Sequence, residues 1–117
     1  MPRILVLEDD PLIAFMVRDW LAELGYETAG PAPSVRSALD IIAASEVDGA
    51  ILDISLGGED CYPVADALLE RGVPIAFATG YGAKGVAPRF KDALMLPKPY
   101  GFEAVKGTVR TLLAAKV

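Results

Sequence analysis

The stretch Gly49-Ala50-Ile51-Leu52-Asp53-Ile54-Ser55 is a short apolar run with no polar alternation; it presents a single carboxylate near its end, and a Gly57-Gly58 pair follows. An unalternating run of this length is the pattern of a strand buried on both faces, as in a parallel sheet covered by helices. A carboxylate in mid-strand there would lose water without gaining a partner. Asp53 therefore belongs at the strand's carboxyl end, the edge where open α/β sheets place their ligands.

The rest of the chain fits that frame. Arg3 to Leu7 is a compact apolar run and predicts a first strand, ending in Glu8-Asp9-Asp10. Asp10 before Pro11 is a helix start, with the carboxylate as cap and the proline at the first helical position. Leu12, Ile13, Met16, Val17, Trp20, Leu21 and Leu24 then recur at spacings of three and four, one apolar helix face that stops at Gly25. Tyr26 to Ala29 reads as a short second strand broken by Gly30-Pro31-Ala32-Pro33, and Ser34 caps a second helix carrying Val35, Ala38, Leu39 and Ile42. After the strand holding Asp53, Tyr62 to Arg71 predicts a third helix with Val64, Ala67 and Leu68 inward. Pro74 to Thr79 is a fourth buried strand and Leu94-Met95-Leu96 a fifth, leading into Pro97-Lys98-Pro99. Between them, three glycines within Gly80-Tyr81-Gly82-Ala83-Lys84-Gly85 argue for a mobile loop, so a fourth helix, over Pro88 to Asp92, is short or disordered. Phe102 to Ala115 forms the last helix, with Val105, Val109, Leu112 and Leu113 on one side. Five strands alternating with about five helices make an α/β fold, a parallel sheet with right-handed crossovers covered on both faces. At 117 residues, 53% of them hydrophobic, the chain has material for a single core, and we expect one domain over 1–117.

Composition removes several chemistries. The chain has no histidine, which excludes histidine-based triads, and its one cysteine, Cys61, cannot pair internally and reads as an inert small side chain. A net charge of -5 speaks against holding nucleic acid. No apolar run is long enough for a membrane span and the first apolar run is too short for a signal peptide, so a cytoplasmic location is expected.

In a parallel sheet all carboxyl ends lie along one edge. Glu8 and Asp9 from the first strand, Asp53 from the third, Thr79 from the fourth and Lys98 from the fifth are thereby expected to converge. Three carboxylates in one crevice repel, and a hard divalent cation relieves them. Magnesium suits the site best, since it takes oxygen ligands, commonly one or two carboxylates plus phosphate. Lys98 and Thr79 suit phosphate oxygens, and a carboxylate beside such a cation can attack phosphorus to give an aspartyl phosphate.

With these residues in this order and spacing, the chain resembles the receiver domain of two-component response regulators over essentially its whole length. The resemblance implies the flavodoxin-like, doubly wound strand order 2-1-3-4-5. It implies that Asp53 accepts phosphate from a phosphohistidine on a sensor histidine kinase, with magnesium, or manganese in its place, bound directly by Asp9, Asp53 and the carbonyl oxygen of Ser55 and through water by Glu8. Thr79 and the backbone amide of Gly80 are expected to hold phosphoryl oxygens, and Lys98 to pair with the phosphate ahead of a cis bond to Pro99. Such a protein is not a conventional enzyme; it catalyses its own phosphorylation and dephosphorylation.

Two positions depart from the usual pattern: Met95 stands where receivers carry an aromatic switch residue, and Gly57 where they carry proline. The stretch Phe77-Ala78-Thr79-Gly80-Tyr81-Gly82 is similar to an atypical alphaproteobacterial subgroup with a Phe-Ala-Thr-Gly motif, often paired with kinases of the HWE or related type. By that resemblance Tyr81, Gly82 and the glycine loop take over the switch role, with Met95 at the usual switch position; as a methionine, Met95 itself reads as core filling. The expected output is a docked downstream protein, such as a histidine phosphotransfer protein, bound through the fourth strand, its loop and the last helix, with the chain itself a monomer or weak dimer and no membrane contact. Two other classes stay open on the residues alone: a small aspartyl-phosphate phosphatase, against which Ser55 replaces the usual second acid, and a binding module independent of phosphorylation.

Overall fold

The computed structural model describes residues 1–80 and 86–115. Strands β1 (Arg3–Leu7), β2 (Glu27–Ala32), β3 (Gly49–Asp53), β4 (Ile75–Thr79) and β5 (Leu94–Pro97) alternate with helices α1 (Pro11–Glu23), α2 (Val35–Ala44), α3 (Tyr62–Glu70) and α4 (Phe102–Ala115). All pairings are parallel and the strand order is β2-β1-β3-β4-β5, the flavodoxin-like arrangement. Between β4 and β5 the described residues form only a 3₁₀ turn, Pro88–Phe90. That is the short element expected there.

The strands alternate sides as their pleat requires. Ile4, Val6, Ile51, Ala78 and Leu96 pack beneath α1 and α4 with Val17, Leu21, Val105 and Val109. Leu5, Leu7, Ala50, Leu52 and Phe77 pack on the opposite face with Ala38, Ile42, Val64 and Leu68 of α2 and α3. Every residue of β3 and β4 is buried, which is why both read as unbroken apolar runs.

Local signals set the helix starts. Asp10 Oδ1 accepts from the Leu12 amide at 3.0 Å ahead of Pro11, and Ser34 and Ser37 satisfy each other's amides, both at 3.2 Å, as a capping box.

Three expectations are corrected. β2 does not break at Gly30 but runs to Ala32, because a register shift between Leu5 and Leu7 absorbs an extra residue and Gly30, at φ 96, turns the chain where a Cβ would meet the Ala32 nitrogen at 2.5 Å. Leu12 and Met16 do not face inward on α1 but are 69% and 37% exposed. The buried line is Ala14, Val17 and Leu21; hydropathy periodicity undervalues a small alanine. On α3 the fully buried alanine is Ala65, and Ala67 packs only at the margin.

Candidate functional site

The register of the sheet builds the site. β1 pairs with β3 up to Leu7 opposite Leu52, so Glu8 follows beside Asp53. β3 pairs with β4 through Asp53 opposite Ala78, and β4 with β5 through Thr79 opposite Pro97. Lys98 is next, its amide donating to the Thr79 carbonyl at 2.9 Å. Of the four buried polar or charged residues among those described, Glu8, Asp53 and Thr79 lie on this edge, the fourth being Thr108. Burying polar side chains is unfavourable without partners, so clustering of three of them on one edge marks a candidate site.

The contacts are specific. The Lys98 ammonium donates to Asp53 Oδ1 at 2.8 Å, and the Ser55 amide donates to the same oxygen at 2.9 Å. The lysine is mostly covered and Asp53 almost wholly buried, so solvent screens this pair far less than a surface ion pair. Carboxylate oxygens of Glu8, Asp9 and Asp53 all lie within 4.8 Å of one another. Glu8 Oε2 is buried without a hydrogen-bond partner among the described residues. Burial, then a hydrogen bond to Asp53 that only a protonated Glu8 can donate, then the charge of Asp53 push the Glu8 carboxyl up to about 8, against the pull of Lys98. Two buried carboxylates and an exposed third thus share too little positive charge. An orphaned carboxylate oxygen within this oxygen-only donor set is what a hard divalent cation fits. Gly57 leaves room beside it, since a Cβ there would come within 3.3 Å of Asp9 Oδ2.

Among the described residues no helix is long and apolar enough to cross a membrane. A model of the response regulator receiver domain matches residues 4–110. The chain belongs to that family. Receiver domains bind magnesium at an acidic pocket, the place held here by Glu8, Asp9 and Asp53, and act as regulatory modules that interact with sensor kinases and downstream proteins in two-component signalling. The chain is similar to SdrG from Sphingomonas melonis Fr1, whose solution structure shares 40% identity with a TM-score of 0.79 over 98% of this chain and 95% of that one. It is 34% identical to the phyllosphere-induced regulator PhyR of Methylorubrum extorquens over 84% of this chain and 38% of that protein. It is 28% identical to the transcriptional regulatory protein PdtaR of Mycobacterium tuberculosis over 84% of this chain and 50% of that protein. This receiver therefore spans about half the length, or less, of these curated relatives.

The residues expected at one edge are brought together: Glu8, Asp9, Asp53, Thr79 and Lys98. Ser55 is exposed and Gly80 lies just beyond β4. The Lys98–Pro99 bond is cis, as the resemblance implied. Tyr81 and Gly82 lie outside the described residues. Met95 is half-buried opposite Phe77 and packs on that residue's cluster, as core filling would. The Cys61 thiol is pushed up to about 12, mainly by burial and then by the charge of Asp60, which matches the inert reading.

Two residues escaped the sequence reading. Tyr100 is partly buried close enough to Glu8 and Asp53 that, after burial itself, their charges raise its hydroxyl pKa. Tyr62 joins Phe77 and Phe90 in a ring cluster beneath β4. The signal for Tyr100 was its place two residues after Lys98; for Tyr62 there was none, because the three rings come from three separate elements.

Proposed function

We propose that this receiver spans residues 1–117 and is a phosphoacceptor, Asp53 taking a phosphoryl group from the phosphohistidine of a sensor histidine kinase. The observation that carries the reading is the state of the Asp53 carboxylate. It is buried, with Oδ1 held by the Lys98 ammonium and the Ser55 amide and with oxygens of Glu8 and Asp9 nearby. Two donors fix Oδ1, so Oδ2 is the nucleophile. As it attacks, the P–O bond forms while the P–N bond to the kinase histidine breaks, its electron pair returning to the imidazole. Asp9, Asp53 and the Ser55 carbonyl would hold magnesium directly, with Glu8 acting through water, and manganese has the same oxygen preference. The bound cation supplies positive charge against the phosphoryl oxygens. Lys98 pairs with one of those oxygens, and the Thr79 hydroxyl and Gly80 amide donate to others, so positioning and electrostatics supply the acceleration. The protein turns over only its own phosphoryl group.

The Phe77-Ala78-Thr79-Gly80 stretch, together with the likeness to SdrG and PhyR, supports membership of the Phe-Ala-Thr-Gly subgroup and an HWE-type kinase partner. The modified domain, cytoplasmic and a monomer or weak dimer, then signals by docking on a downstream or histidine phosphotransfer protein, with Tyr81 and Gly82 in the switching segment. Incubation with acetyl phosphate and magnesium, followed by intact mass measurement, tests the reading. The wild type gains one phosphoryl group and Asp53→Asn gains none. An unmodified wild type, or an equally modified Asp53→Asn, overturns it.

A further inference from the structure

Asp53 and Thr79 each lead into a segment that leaves the sheet, and the two segments meet at Tyr62. The first passes the Gly57-Gly58 turn and enters α3, whose first residue is Tyr62, its amide donating to Asp60 Oδ1 at 2.9 Å. The second is the connection from β4 to β5. There the Ala87 amide donates to the Tyr62 hydroxyl at 2.7 Å. The Tyr62 ring stacks on Phe90 of the 3₁₀ turn at 5.1 Å and meets Phe77 edge-on at 6.0 Å. Phe77 is fully buried and stands two residues before Thr79, on the same side of β4 by alternation. A second link between α3 and the connection, Arg89 to Asp66 at 3.0 Å, joins side chains that are both more than half exposed and is weakened by solvent.

We propose that Tyr62 is a positioning residue that couples the phosphoryl site to the β4–β5 connection, its hydroxyl restraining that connection in the arrangement that accompanies a free Asp53 carboxylate. The proposal rests on the phosphoacceptor reading above. A phosphoryl group on Asp53 brings acceptor oxygens that draw on Thr79 and Gly80, at the start of the connection. Ala87, midway along it, is anchored to the helix that Asp53's own loop leads into. The described route between the two runs through the rings: Phe77, on the strand that ends at Thr79, meets the Tyr62 ring whose hydroxyl holds Ala87. Stacked rings can slide with little loss, whereas a single 2.7 Å hydrogen bond is either kept or given up, which makes the tyrosine hydroxyl the part of this contact able to distinguish two arrangements. Met95, lacking a ring and a hydroxyl, cannot do this from β5.

Tyr62→Phe keeps the ring and deletes only the acceptor. With beryllofluoride plus magnesium as the probe, titrated against amide resonances, the variant is expected to bind about fivefold more tightly than wild type, the worth of one released hydrogen bond, while its thermal stability is unchanged or lower. In the wild type the Ala87 amide is expected to be protected from hydrogen exchange without the probe and to lose protection with it. A structural role alone would not raise probe affinity. Equal or weaker binding by the variant, or an Ala87 amide equally protected in both conditions, overturns the coupling. A wild type that does not bind beryllofluoride at all removes the phosphoacceptor reading and this proposal with it; a wild type that binds, with an unmoved variant, removes the coupling alone.

Discussion

The two halves of the carboxyl edge are built differently. At β1 and β3 four consecutive residue pairs, from Ile4 opposite Gly49 to Leu7 opposite Leu52, carry Glu8 and Asp53 into place, so the acids inherit the rigidity of a central ladder. At the β4–β5 connection the described residues include a three-residue turn, held by the Tyr62, Phe77 and Phe90 rings and by the bond from Ala87. The contrast is one of how many contacts must fail together. A ladder opens only with the sheet, while side-chain contacts on a connection can be exchanged locally. On the phosphoacceptor reading, chemistry that needs fixed distances sits on the first kind of support, and the coupling proposed for Tyr62 acts on the second.

Lys98 belongs to both halves, bonded to Thr79 through its backbone and to Asp53 through its side chain. Removing it is the most direct way to break the division. Lys98→Ala deletes a charge-assisted hydrogen bond, and the rate of phosphoryl incorporation from acetyl phosphate is expected to fall about ten- to a hundredfold. Because the acids stand on the β1–β3 ladder, the variant should still bind magnesium. Loss of both together would mean that the lysine, and not the ladder, holds the acid cluster.

The next effect is set by Glu8. Its folded-state pKa of about 8 lies above the ordinary 4.5, so the metal-free fold keeps a proton that the unfolded chain releases. The stability this lends is complete below about 4.5 and is lost as pH rises through about 8. A cation competes with the same proton. Magnesium affinity is thus expected to rise about tenfold per pH unit up to that value and then level off, as calorimetric titrations at several pH values would show. Glu8→Gln should flatten the profile. A flat profile in the wild type would mean that the cation does not depend on an ionised Glu8.

Much of the rigid half was legible in the sequence, and little of the other. Asp53 could be found because a buried strand announces itself as an unbroken apolar run, and Glu8, Asp9 and Lys98 because they directly follow such runs. The sheet then does the rest, since parallel strands share an end whatever their separation in sequence. The errors came where hydropathy is a poor guide. Leu12 and Met16 have the right spacing to be core but are exposed, while Ala14, too weakly apolar to stand out in a hydropathy pattern, is buried. Gly30-Pro31 looked like a strand end because proline and glycine punctuate, yet an edge strand tolerates both at a bulge. The contact of Tyr62 with Phe77 and Phe90 gave no signal, for a contact among three elements has no period.

The smallest expected effect on the chemistry tests the comparison from the other side. Phe90 is 4% exposed and touches both Tyr62 and Phe77, so Phe90→Ala leaves a cavity under the connection and should cost about 3 kcal/mol in urea unfolding. The turn that carries Phe90 lies off the ladder holding Glu8 and Asp53. If the two halves are supported independently, the variant's magnesium affinity stays within about twofold of wild type even as its stability drops, because burial energy is lost where no ligand oxygen is positioned. A parallel fall in magnesium affinity would show that the ring cluster and the acid cluster form one cooperative unit. Movement of the connection would then have to disturb the acids directly, and the rigidity assigned to the β1–β3 tips would belong to the whole edge.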